Sequence, residues 1–176
     1  MNPKICMPIL RQLPRDTDKP LWQRLLWWRE PIIYEVVEDY FYPTRLWMGR
    51  PVNLLLPAGF RCDLASTPQF TWCLGYRPDG LLLLPGLYHD FYYRHGFVID
   101  CAVPGRNFLG EGERAFGDRL LAHMTREISG LALPGLLAQV ALTLFGWAAW
   151  KHNERYRLKA KEKKYCGIYE LQGDYK

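Results

Sequence analysis

The chain lacks a C-x-x-C pair and any zinc-type cysteine and histidine spacing, and its cysteines are odd in number: Cys6, Cys62, Cys73, Cys101 and Cys166. A disulfide scaffold is therefore not expected, and a reducing compartment is. The first fifteen residues mix Pro, Lys and Arg without the continuous apolar stretch of a secretory signal, so no signal peptide is expected. No G-x-S-x-G elbow surrounds Ser66, which argues against a serine hydrolase. Neither Cys62 nor Cys73 falls at a predicted helix start, where a thiolate is stabilised, so a cysteine hydrolase working with His89 is also disfavoured. Internal repeats and low-complexity segments are missing too.

What is present is a globular composition, 49% hydrophobic and 23% charged over 176 residues, enough for one domain with a core. Aromatics reach 15%, with seven Trp, which suits either a ring-rich core or an interface. The positive charge is concentrated. Seven of the 23 Lys/Arg but two of the 18 Asp/Glu fall in residues 151–164, which leaves 16 of each sign elsewhere. The body of the chain shows no basic stripe interleaved with aromatics, so sequence-specific nucleic-acid binding is not expected. The basic run reads as a solvated helix face or as a phosphate-contacting surface, including a phospholipid membrane.

Periodicity predicts an α+β fold: a small N-terminal antiparallel sheet packed on two antiparallel helices, with a long C-terminal helix. Residues 1–30 are irregular, with a short helical stretch at Leu21 to Trp28. A first strand covers residues 32–42, Pro43 to Gly49 forms a turn, and a second strand covers residues 52–56. Residues 61–80 read as a loop. A helix follows from Leu84 to His95, closed by Gly96, and after a polar, Gly-rich connection a second runs from Glu111 to Ser129. A third from Pro134 to Lys164 would be about 45 Å long. Leu131 to Trp150 is free of formal charge; a buried core helix is the expected reading, a membrane span the rival one. Residues 151–176 form a basic helical extension and tail.

The first helix carries Tyr88-His-Asp-Phe-Tyr-Tyr93. Residues four apart share a helix face, so His89 and Tyr93 belong together while Asp90 points aside. An imidazole removes a proton from water near neutral pH when a carboxylate orients its other nitrogen. Asp118, the only acidic residue in the middle of the second helix, faces His89 if the two helices are antiparallel, and the Tyr93 hydroxyl reaches the same carboxylate. Asp90, with Asp63 and carbonyls of residues 61–68, makes a hard-oxygen site suited to calcium. The structural alternative is a polar network, with Asp63 to Pro68 a turn and Arg61 paired to Asp90 or Asp118. His95 is expected to cap its helix end, and His123 to lie on or near the surface.

The run Leu56-Pro-Ala-Gly-Phe-Arg-Cys-Asp-Leu-Ala-Ser-Thr-Pro68, then Tyr88-His-Asp-Phe-Tyr-Tyr93, Asp118 and Leu144-Phe-Gly-Trp-Ala-Ala-Trp150, resembles a small family of tailed phages and prophages, the domain of unknown function numbered 1353. The resemblance covers residues 32–150, with Gly117 standing where that family usually has Ala. It implies a phage or prophage origin, phage protein partners, and a place in the bacterial host cytoplasm or the virion; the Trp-rich segments and the basic C-terminal helix would hold the chain at the periphery of the membrane. The segments Asp63-Leu-Ala-Ser-Thr-Pro68 and His89-Asp-Phe-Tyr-Tyr-Arg94, with Asp118, are also similar to the short bacterial and fungal phospholipases A2. That similarity implies His89 as general base, Asp118 as its orienting partner, Tyr93 as a brace, and Asp90 as a calcium ligand. The Gly-Cys pair of the phospholipase loop is Leu64-Ala65 here, in a loop one residue shorter, and the disulfides of those enzymes have no obvious equivalent. Two functions follow: a phospholipase A2-like acyl-ester hydrolase, or a non-enzymatic structural or accessory protein of a phage.

Overall fold

The computed structural model describes residues 7–13, 33–47, 49–62, 80–102, 107–110 and 112–165. The fold is α+β, with seven described strands in two antiparallel sheets and four described helices. The strands are β1 (Leu10–Gln12), β2 (Tyr34–Val36), β3 (Tyr40–Arg45), β4 (Pro51–Leu56), β5 (Arg61–Cys62), β6 (Val98–Asp100) and β7 (Asn107–Leu109). The helices are α1 (Leu83–His95), α2 (Arg114–Ser129), α3 (Ala132–His152) and α4 (Glu154–Tyr165).

The strand expected over 32–42 is two strands in different sheets. β2 is central to the sheet β1-β2-β5, whereas β3 is an edge of the sheet β3-β4-β6-β7. The break falls at Val37 to Asp39, where the Asp39 carboxylate accepts the Ala58 N–H at 2.8 Å and draws the chain off its line. Pro43 lies inside β3, opposite Asn53, and not in a turn. An edge strand tolerates it because the missing N–H can face outward. The connection between the first two helices holds the hairpin β6–β7, with Ile99 paired to Leu55 and to Phe108.

Helix α1 is the centre of the molecule. Leu84, Leu87, Tyr88, Phe91 and Tyr92 are each at most 1% exposed and pack with Leu54, Leu56 and Ile99 from the strands, Phe60 just before β5, and Leu120 and Met124 from α2. The Tyr88 hydroxyl is placed in this core by the Leu54 carbonyl at 2.8 Å. Gly96 ends α1 in the left-handed region at φ 78°, its N–H bonded to the Tyr92 carbonyl at 2.7 Å. The expected cap residue His95 bonds the Phe91 carbonyl through Nδ1 at 2.9 Å.

The long third helix is broken. A turn at Asn153 separates α3 from α4, and Arg157 of α4 reaches back to the Tyr93 and Trp150 carbonyls, its guanidinium 3.6 Å above the Trp150 ring. One member of the basic run is therefore spent on internal packing. Helix α3 is also not the buried core helix that was expected. Among its residues only Gly135 and Gly146 are buried, and Leu133, Leu136, Leu144, Phe145 and Trp147 are exposed. The proposed helix at Leu21 to Trp28 lies outside the described residues.

Candidate active site

Three residues singled out by spacing meet between α1 and α2. His89 and Tyr93, one turn apart on α1, have ring centroids 4.0 Å apart. Both face Asp118 on α2. The Tyr93 hydroxyl donates to Asp118 Oδ1 at 2.5 Å, and His89 Nε2 lies 3.6 Å from the same oxygen. The other ring nitrogen, Nδ1, faces Asp90 Oδ1 at 3.7 Å. The imidazole is thus held between two carboxylates of different character. Asp118 is 3% exposed at its side chain and Asp90 is 25% exposed, so one nitrogen looks inward and the other toward solvent.

Both imidazole distances exceed a hydrogen bond, and Nε2 is buried with no hydrogen-bond partner in the structure. Burial lowers the His89 pKa, but the Asp118 and then the Asp90 carboxylates outweigh it, so the net direction is upward from the ordinary imidazole value. Burial, and next the Asp118 carboxylate, push the Tyr93 hydroxyl well above the ordinary phenol range, so it stays protonated and remains a donor.

Arg114 was not anticipated. It sits one turn before Asp118 on α2 and pairs with Oδ2 at 3.3 Å, while the same guanidinium nitrogen donates to the Leu142 carbonyl of α3 at 2.8 Å. The i,i+4 spacing of Arg114 and Asp118 is a signal that the sequence carries in plain view. Two glycines shape the site. A Cβ on Gly117 would lie 2.6 Å from Tyr92 Cδ1, so the neighbouring ring leaves room only for glycine there. A Cβ on Gly146 would lie 2.7 Å from the Tyr93 hydroxyl, so α3 approaches the site only because that side chain is missing.

Other expectations land elsewhere. The Arg61 guanidinium pairs with Glu35 at 2.8 Å, not with Asp90 or Asp118, and Arg11 approaches the same carboxylate from the other side. His123 is the partly buried helix residue that was expected, beside Thr44, Glu127 and the Trp47 ring. Cys62 is fully buried in β5, while Asp63, Ser66 and Cys73 lie outside the described residues. Among the described residues no cluster of three or more His, Cys, Asp or Glu side chains is placed to hold a metal ion, and Asp90 is the one proposed calcium ligand that can be located. No protein-family model, curated protein or solved structure matches the chain.

Proposed function

We propose that the chain is a phage- or prophage-encoded hydrolase of phospholipase A2-like design, acting on a lipid ester or a related acyl bond. The observation that carries this reading is the polarity of the His89 ring: Nε2 toward the buried, braced Asp118, and Nδ1 toward the partly open Asp90. A proton on Nε2 leaves the Nδ1 lone pair as the base on the solvent side. In the reaction, Nδ1 takes a proton from water as the water oxygen bonds to the ester carbonyl carbon. The imidazolium so formed is stabilised by Asp118. It then returns the proton to the departing alkoxide as the carbon–oxygen bond breaks. Tyr93 and Arg114 hold Asp118 in place and do not touch the reacting atoms.

Calcium needs six to eight oxygen ligands. Asp90 has the right chemistry and exposure to be one of them, with Asp63 and the adjacent carbonyls as the further candidates from the sequence. A bound calcium ion would supply electrophilic help to the ester carbonyl. The second reading, a structural or accessory phage protein, is favoured by the burial of His89, which is 6% exposed overall. In that case His89, Tyr93 and Asp118 form a polar network that sets the α1–α2 packing.

The deciding experiment is hydrolysis of phospholipid and short-chain acyl esters, with and without calcium, by the wild type, His89→Ala and Asp90→Asn. Activity abolished in His89→Ala, and calcium-dependent activity lost in Asp90→Asn, is the expected result. Activity surviving in His89→Ala overturns the mechanism, and an inactive but folded wild type favours the structural reading.

A further inference from the structure

Helix α3 has the surface of an element whose surroundings are missing. It is 21 residues long, carries no formal charge before Lys151, and meets α2 along one narrow stripe. That stripe holds the buried Gly135 and Gly146, with Ala138 and Leu142 half-buried between them. A Cβ at Gly135 would lie 2.5 Å from the Ala122 carbonyl oxygen, so the two backbones are close enough that only glycine fits. Close approach through small residues is how helices pack when no water drives them together. Away from the stripe the apolar side chains point outward, with Leu133 63%, Leu144 60%, Phe145 73% and Trp147 62% exposed. A helix that is apolar all round is stable only when something apolar covers it.

We infer that α3 is covered by a lipid bilayer, lying in the plane of its interface and not across it. Length and composition alone would allow a span. The neighbour forbids it: α2 runs antiparallel alongside α3, with Ala122 against Gly135 at one end and Arg114 bonded to Leu142 at the other. A spanning α3 would carry Arg114, Arg119 and Arg126 of α2 into the hydrocarbon, which is costly for each charge. Lying flat, α3 sinks its outer face into the acyl boundary and leaves α2 on the water side. Lys151, Arg155 and Lys159, all exposed just beyond the apolar stretch, supply the charge that selects anionic headgroups. The basic run thus contributes selectivity, while the apolar face of α3 contributes most of the attachment. This assignment rests on the fold and stands whether or not the His89 site is catalytic.

The test is flotation of the full chain with vesicles of phosphatidylcholine alone and of phosphatidylcholine with about one-third phosphatidylglycerol. It is run in parallel on Leu144→Glu with Phe145→Glu, at positions exposed enough for the fold to survive. Circular dichroism establishes folding of the pair, and Phe145→Glu alone serves if the pair fails to fold. The wild type is expected to float with the anionic vesicles and release at alkaline carbonate, with Trp147 quenched by shallow lipid-borne bromines. The substituted chain is expected to partition roughly tenfold more weakly or worse. Binding that resists carbonate, with Trp147 quenched at the bilayer centre, overturns the in-plane placement in favour of a span. A lipid-free dimer that the substitutions dissociate overturns it in favour of a second copy. Failure to bind vesicles overturns it outright.

Discussion

The hydroxyl of Tyr93 stands 2.5 Å from Oδ1 of Asp118, closer to that oxygen than His89 Nε2 is at 3.6 Å. The buried carboxylate is therefore secured first by the phenol and by Arg114, and only then presented to the imidazole. Removing the phenol oxygen in Tyr93→Phe leaves one lobe of a buried anion unsatisfied. A loss of about 1.5–3 kcal/mol is expected in chemical denaturation, the range for a hydrogen bond to a charged group. An unchanged midpoint would show that the contact contributes nothing.

His89 gives the pH behaviour. Its folded pKa is raised above the ordinary value, so its contribution to stability is fully present below about 6.5 and is lost as pH rises through the folded value. The stability gap between wild type and His89→Gln should accordingly shrink from pH ~6 to pH ~9. Any hydrolysis that uses the neutral ring should show the opposite trend, falling on the acid side of the same midpoint. Ring-proton NMR of His89 reads that midpoint directly, and a value below ordinary imidazole would contradict the arrangement.

Gly117→Ala sets helix propensity against space. Alanine gains up to about 1 kcal/mol in a helix interior. The new methyl, however, would sit 2.6 Å from a buried tyrosine ring that is itself packed on Phe116 and Trp150. Overpacking of this kind costs about 1–3 kcal/mol, so net destabilisation is expected in thermal unfolding. A stabilised variant would mean that the Tyr92 ring moves freely.

Glu35 supplies an acid-sensitive clasp. On β2 it lies directly between Arg11 of β1 and Arg61 of β5, and Arg61 and then Arg11 pull its pKa below the ordinary carboxylate value. A depressed folded pKa means stability that is present above about 4.5 and lost as pH falls through the folded value. Glu35→Gln should therefore lower the urea midpoint at pH 7, and the gap to the wild type should narrow as pH falls below about 4.5. Parallel curves across that window would exclude the clasp.

The catalytic candidates were legible because helical spacing alone puts His89 and Tyr93 on one face and offers Asp118 as the lone mid-helix acid opposite. Arg114 obeys the same spacing rule, one turn before Asp118. Other features depend on events that periodicity does not record. The split between β2 and β3 depends on the Asp39 side chain taking a distant N–H, and the hairpin arm Val98–Asp100 is too short to show alternation. The apolar character of α3 was plain, but apolarity says that a helix must be covered without saying by what. Its turn at Asn153 interrupts an otherwise continuous helical composition, and is fixed by Arg157 folding back onto Tyr93 and Trp150.

That fold-back has a consequence for biosynthesis. The bond from Arg157 to the Tyr93 carbonyl joins residues 64 positions apart, and the glycine that admits the Tyr93 hydroxyl is Gly146. A ribosome emits the chain from its N-terminus, so the histidine emerges long before the parts that complete its surroundings. Nascent chains, and fragments ending before α3, would hold His89 and Tyr93 in an unfinished pocket. The arrangement around His89 is therefore complete only when α3 and α4 have been made, and a chain released early carries the motif without it.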